Sequence, residues 1–195
     1  MSSVENDKLI GEKIEEAWGR FVLNTYPVSE IAFSQGNVPG WDLKLISDKG
    51  RSKFHEVKFD QSSAAPWLNH KGEERRPTGN LFIEYKNPRS GKPSGIAVTR
   101  SDWWVYIVKE AYELVSLSDV NRYTAKAYII HAEQLKEFLR GEHNLKSVPT
   151  VRDTADGRVN AEGWLLPVHT LKSSGVLFYE ENFTSYIRAL FSSSL

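Results

Sequence analysis

The chain has 195 residues, a formal net charge of zero, 40% hydrophobic and 26% charged residues, and no cysteine. That length suits one domain with a sizeable core, and the lack of cysteine excludes disulfides and thiolate metal sites. The balanced charge excludes the overall basic field of an avid non-specific DNA binder, though not a local basic groove. No apolar run reaches the roughly 20 residues of a membrane helix. The opening MSSVENDKLIGEKIEEA is too charged for a secretory signal, so a cytoplasmic protein is expected.

In chain order, residues 5–23 predict a helix, with Ile10, Ile14, Ala17, Trp18, Phe21 and Val22 on one face. FSQGNVPG reads as a loop. Two strands are expected over 41–47 and 52–60, then a long polar connection over 61–79 that is a candidate mobile loop. NLFIEYK (80–86) predicts a third strand, GIAVT a short fourth, and SDWWVYIV a helical turn at Ser101 running into a strand. AKAYIIH (125–131) predicts a strand and 132–140 a helix closed by Gly141. Residues 146–163 read as loop, GWLLPVHTLK as strand or extended chain, and 184–191 as a short amphipathic helix. The order is α/β or α+β around one sheet. A single domain over 1–195 is expected, with its core at about 5–140 and a C-terminal extension at 141–195.

One hairpin carries the chemistry. In GWDLKLISDKGRSKFHEVKFD (40–60), Asp48, Lys49 and Gly50 suit a three-residue hairpin loop whose last residue takes the left-handed region. Ser47 then pairs with Arg51, and Asp42 falls opposite Glu56 on one face of the sheet. Lys58 shares that face, because side chains alternate with period two. Trp41, Leu43, Leu45, Val57 and Phe59 take the other face. Carboxylates directly opposite one another repel, and a hard divalent cation such as Mg²⁺ would offset that cost. At about 100° per residue, Glu15 borders the buried face of the first helix and Glu16 points to solvent, so Glu15 is the helix carboxylate able to reach the cluster. Two readings stay open on these residues: a solvated strand face or a metal site.

Around the hairpin, His55 is expected to be a packed core histidine, and Asp60 and Glu84 either border the site or are ordinary strand polar groups. His70, Lys71, Arg75 and Arg76 form a basic loop with Glu73 and Glu74, either solvated or set against phosphates. Lys86, Arg89 and Lys92 give the next turn the same two readings. Trp103 and Trp104 are expected as core and rim aromatics, and His131 and His169 as strand-to-helix corners.

Glu15 on a helix, Asp42 on a first strand and Glu56-Val57-Lys58 on a second resemble the PD-(D/E)XK nuclease superfamily, the restriction-endonuclease-like fold. The likeness covers about residues 10 to 140 and departs from the family pattern in having Trp41 rather than proline before Asp42. TGNLFIEYK and PSGIAVTRSDWWVYIV look like segments of small phage-type nucleases of this fold, in which such strands continue the sheet. The resemblance implies a central mixed β-sheet flanked by helices, with an N-terminal helix followed by an antiparallel hairpin. It also implies a Mg²⁺-dependent DNA endonuclease, with Mn²⁺ as a substitute ion. Asp42, Glu56, the backbone carbonyl of Val57 and Glu15 would hold the ion, and Lys58 would orient water or stabilise developing phosphate charge. Lys71, Arg75, Arg76 and Arg100 are the candidate DNA contacts, and cutting both strands of a duplex would suit a homodimer. The alternatives are a catalytically inactive DNA- or partner-binding module of the same fold, and a hydrolase of another phosphate ester.

Overall fold

The Asp48-Lys49-Gly50 turn closes as its chemistry requires. Gly50 takes a φ of 71°, its N–H donates to the Ser47 carbonyl at 2.8 Å, and Ser47 N–H donates to Arg51 at 2.9 Å. The computed structural model describes residues 3–34, 40–69, 71–115, 119, 121–142, 144–151 and 159–192. His70 and residues 35–39 and 152–158, which the sequence reads as loop, lie outside the described residues.

The elements are α1 (Ser3–Thr25), β1 (Val28–Phe33), β2 (Leu43–Ser47), β3 (Ser52–Ala64), β4 (Trp67–Leu68), β5 (Glu74–Arg75), β6 (Asn80–Lys86), a 3₁₀ turn (Gly95–Ala97), β7 (Trp103–Glu110), β8 (Thr124–His131), α2 (Ala132–Gly141), β9 (Lys146–Val151), β10 (Val159–Pro167), α3 (Val168–Ser173), β11 (Phe178–Asn182) and α4 (Thr184–Ser192). The class is α/β. A six-stranded sheet runs β1-β2-β3-β7-β8-β11, with β3 and β7 parallel and every other pair antiparallel. A second sheet runs β6-β10-β9, and β4 and β5 form a two-stranded arm.

Alternation along the strands builds two cores. On one face, Ile14, Trp18, Phe21 and Val22 of α1 pack with Leu43, Leu45, Val57, Val105 and Ile107, joined by Ile187 of α4. On the other, Trp104, Tyr106, Val108 and Ile130 pack against Leu81 and Ile83 of β6, Leu135 and Leu139 of α2, and Leu166 of β10. Polar side chains buried beside the first core have partners, and His55 is the one next to the hairpin. His55, 6% exposed, accepts a bond at Nδ1 from the Trp18 indole at 3.1 Å. Burial pushes its pKa down to about 4, so the ring is neutral in the folded protein at neutral pH. His131 caps α2, accepting from Gln134 N–H at 3.4 Å.

Several sequence expectations are corrected. GIAVT is the 3₁₀ turn, not a strand, and Ser101 begins no helical turn. The connection over 61–79 is largely structured. Asp60 sustains β3 through a bulge, its Oδ1 accepting from Ser62 N–H at 2.7 Å and Ser63 N–H at 3.0 Å, and the β4–β5 arm follows. The NLFIEYK strand does not continue the main sheet but pairs with β10 in the second one. The stretch read as loop over 146–163 supplies β9 and much of β10, because their pairing compensates for a polar composition. The segment read as a C-terminal extension is woven into both sheets, with β10 central to the small one and β11 an edge of the large one. No helix among the described residues is long and apolar enough to cross a membrane.

Candidate active site

The hairpin register is the one the turn dictates: Leu43 faces His55, Lys44 faces Phe54, and Ile46 faces Ser52. Just beyond the end of β2, Asp42 is tied on both sides. Its N–H donates to the His55 carbonyl at 2.8 Å, and its carbonyl accepts from Ser34 N–H at 2.8 Å. Its side chain turns toward β3, where Oδ2 accepts the Val57 N–H at 2.7 Å. Lys58 Nζ lies 2.6 Å from Glu56 Oε1 and 3.9 Å from Asp42 Oδ2, so both carboxylates reach one ammonium. That ammonium stands 5.5 Å above the Trp104 ring, near enough for a cation–π contact. Trp41 is half-buried and rests on Phe54, ring centroids 5.3 Å apart, rather than joining the core under Leu43.

Electrostatics draw Glu15 into the same cluster. It is half-buried while Glu16 is exposed, as the helical wheel predicts. Burial, then the Asp42 carboxylate, push its pKa up to about 7. Burial and Glu56 also raise Asp42, against the pull of Lys58 and of the Val57 N–H. Burial works against the Lys58 ammonium, but Glu56 and Asp42 outweigh it and raise its pKa. The cluster thus holds more negative charge than Lys58 alone neutralises. A carboxyl whose folded pKa lies above its unfolded value stabilises the protein at low pH and loses that contribution as pH rises. For Glu15 the loss runs from its ordinary value of 4.5 through about 7. Glu15→Gln is therefore expected to raise the melting temperature by a few degrees at pH 8 in EDTA and to leave it unchanged at pH 4, as checked by calorimetry at both pH values.

The segment after the 3₁₀ turn closes the other side. The Gly40 carbonyl accepts three bonds, from Arg100 N–H at 2.9 Å, the Thr99 hydroxyl at 3.0 Å and the Ser101 hydroxyl at 2.9 Å. Thr99 Oγ1 also lies 3.5 Å from Glu56 Oε2. Arg100 is exposed beside Gly40, two residues before Asp42. Sequence reasoning missed the part played by Thr99 and Ser101, because their contact with Gly40 joins segments about 60 residues apart. Lys71, Arg75 and Arg76 are exposed on or beside the β4–β5 arm, with Arg75 paired to Glu73 at 2.6 Å. They are not drawn into the carboxylate cluster. Asp60 is buried and spent on the bulge hydrogen bonds, so it serves the strand rather than the cluster. Glu84 lines an open cleft together with Lys58.

Among the described residues no three histidine, aspartate or glutamate side chains gather as a ready-made metal cluster. The geometry joins two carboxylates and an ammonium, with a third acid coupled to them through space. Comparison with models of known families, with curated proteins and with solved structures finds no match.

Proposed function

We propose that the protein is a Mg²⁺-dependent DNA endonuclease with a restriction-endonuclease-like fold. One observation carries this reading: Asp42 and Glu56, from opposite strands of the hairpin, reach the same Lys58 ammonium. The donor chemistry fits a hard divalent cation, which takes oxygen ligands. Asp42 and Glu56 would hold it, with the Val57 carbonyl and Glu15 as further oxygen donors. The raised pKa values of Asp42 and Glu15 support a site that gains from added positive charge. A cation held there supplies charge against the scissile phosphate and lowers the pKa of a coordinated water.

The chain's own groups do the rest. Lys58, kept protonated by its two carboxylate neighbours, presents a fixed positive charge where negative charge develops on phosphorus. The Val57 N–H fixes the rotamer of Asp42, and Thr99 lies against the far oxygen of Glu56. Arg100 stands where it can meet a phosphate flanking the cut. Nicking of supercoiled plasmid tests the reading. Wild type is expected to nick in Mg²⁺ or Mn²⁺ and not in EDTA, and Asp42→Asn to fall to the EDTA background. Binding of DNA by the wild type with no cleavage in either metal would replace this reading with that of an inactive binding module.

A further inference from the structure

α2 reaches the candidate site through one side chain. Ala132 and Lys136 stand one turn apart on the same face of the helix, and both bond the segment that carries Thr99 and Ser101. The Ala132 N–H donates to the Asp102 carbonyl at 2.9 Å, and the Lys136 ammonium donates to the Thr99 carbonyl at 2.9 Å. Lys136 also pairs with Glu133 at 2.6 Å, yet its side chain is only 14% exposed, against 61% for Glu133. Pairing with an exposed carboxylate does not require so deep a lysine, because surface ion pairs form in water. Bonding the carbonyl of Thr99, a residue buried in the fold, does require it.

Thr99 is itself a link. Its N–H is bound to the Gly95 carbonyl at 3.0 Å and its carbonyl to Lys136. Its hydroxyl accepts from the Ser101 N–H at 3.2 Å and has two acceptors in reach, the Gly40 carbonyl at 3.0 Å and Glu56 Oε2 at 3.5 Å. Glu56 Oε1 is held by Lys58, so the placing of Thr99 decides what stands against the other oxygen. Without the ammonium the Thr99 carbonyl loses its partner inside the protein, and a buried acceptor left unsatisfied drives its segment toward water. We infer that Lys136 is a positioning residue for the Asp42 and Glu56 site: it fixes Thr99, and through Thr99 it sets the orientation of the Glu56 carboxylate. The inference rests on the reading of these carboxylates as a metal site.

Two measurements test it. In EDTA, amide exchange followed by NMR reads the brace alone. Lys136→Met keeps the apolar stem and removes the charge, and it is expected to speed exchange of the Arg100 N–H, which is bound to Gly40, about tenfold. Titration with Mn²⁺, counting only the binding that Asp42→Asn abolishes, reads the consequence. Lys136→Met and Thr99→Val are each expected to weaken it about tenfold, the usual scale for groups that orient metal ligands. Combining them is expected to cost about the same tenfold rather than a hundredfold, since both act through one contact. Glu133→Gln breaks the ion pair and leaves the Thr99 bond, so it is expected to match wild type in both measurements. Unchanged Arg100 exchange in Lys136→Met, additive losses in the double variant, or a Glu133→Gln loss equal to that of Lys136→Met overturns the assignment. If wild type binds no Mn²⁺, the metal site falls, while faster Arg100 exchange in Lys136→Met still upholds the brace.

Discussion

Lys58→Ala is expected to slow phosphodiester cleavage by about 10²–10³-fold, the usual cost of removing one group aimed at developing transition-state charge. The same change bares the carboxylates. Lys58 is the cation that sits 2.6 Å from Glu56 and 3.9 Å from Asp42, and without it, among the described residues, only the Val57 N–H and the Thr99 hydroxyl stand against the mutual repulsion of Asp42, Glu56 and Glu15. The variant is therefore expected to melt lower than wild type in EDTA and to gain more than wild type from added Mg²⁺, because only a ligand that prefers the folded state raises its stability. A thermal-shift series in EDTA, Ca²⁺ and Mg²⁺ reads this directly. An unchanged cleavage rate would remove Lys58 from the chemistry, and a melting temperature indifferent to Mg²⁺ would remove the ion from this pocket.

The largest stability effect is expected at Gly95→Ala. Gly95 takes a φ of +52°, and a Cβ there would stand 2.3 Å from the Glu84 carbonyl oxygen and 2.9 Å from its carbonyl carbon. Both are backbone atoms of β6, so relief requires moving a strand. Left-handed strain and the clash together cost roughly 3–5 kcal/mol, a large share of the 5–15 kcal/mol that holds a typical domain together. At about 2–4 °C per kcal/mol for a chain of this size, the melting temperature falls by about 10 °C. Gly91→Ala is the control: its φ is +67° but nothing lies within 4 Å of the added carbon, so it carries the backbone strain alone, about 1 kcal/mol. Equal losses at the two positions would show that the close approach of the 3₁₀ turn to β6 contributes nothing. The approach matters to the site because this turn leads into Thr99, Arg100 and Ser101, which grip the Gly40 carbonyl.

What was legible in the sequence is what depends on near neighbours. The Asp48-Lys49-Gly50 loop sets the hairpin register, and alternation then places Asp42, Glu56 and Lys58 together without any long-range information. A wheel of one helix separates Glu15 from Glu16 because the apolar stripe from Ile14 to Val22 marks the buried side. What escaped depends on distant partners. β1 has an irregular burial pattern, with Val28, Ile31 and Ala32 half-buried and Ser29, Glu30 and Phe33 exposed, so no alternation announces it. β3 runs through Ser62 and Ser63 because Asp60 satisfies their backbone N–H groups locally, a bulge that reads as polar loop. β6 looks like a strand of the main sheet in sequence because its true partner, β10, lies some 80 residues further along the chain, and the composition of one strand does not name its neighbour. The cleft between Lys58 and Glu84 exists only through that pairing.

The central claim is that Asp42 and Glu56 together hold a divalent cation. A crystal soaked in Mn²⁺ and measured for anomalous scattering tests it most directly. A single strong peak bridging the two carboxylates is expected, absent from Asp42→Asn crystals treated alike. No peak at saturating Mn²⁺, or one that persists in Asp42→Asn, would contradict it.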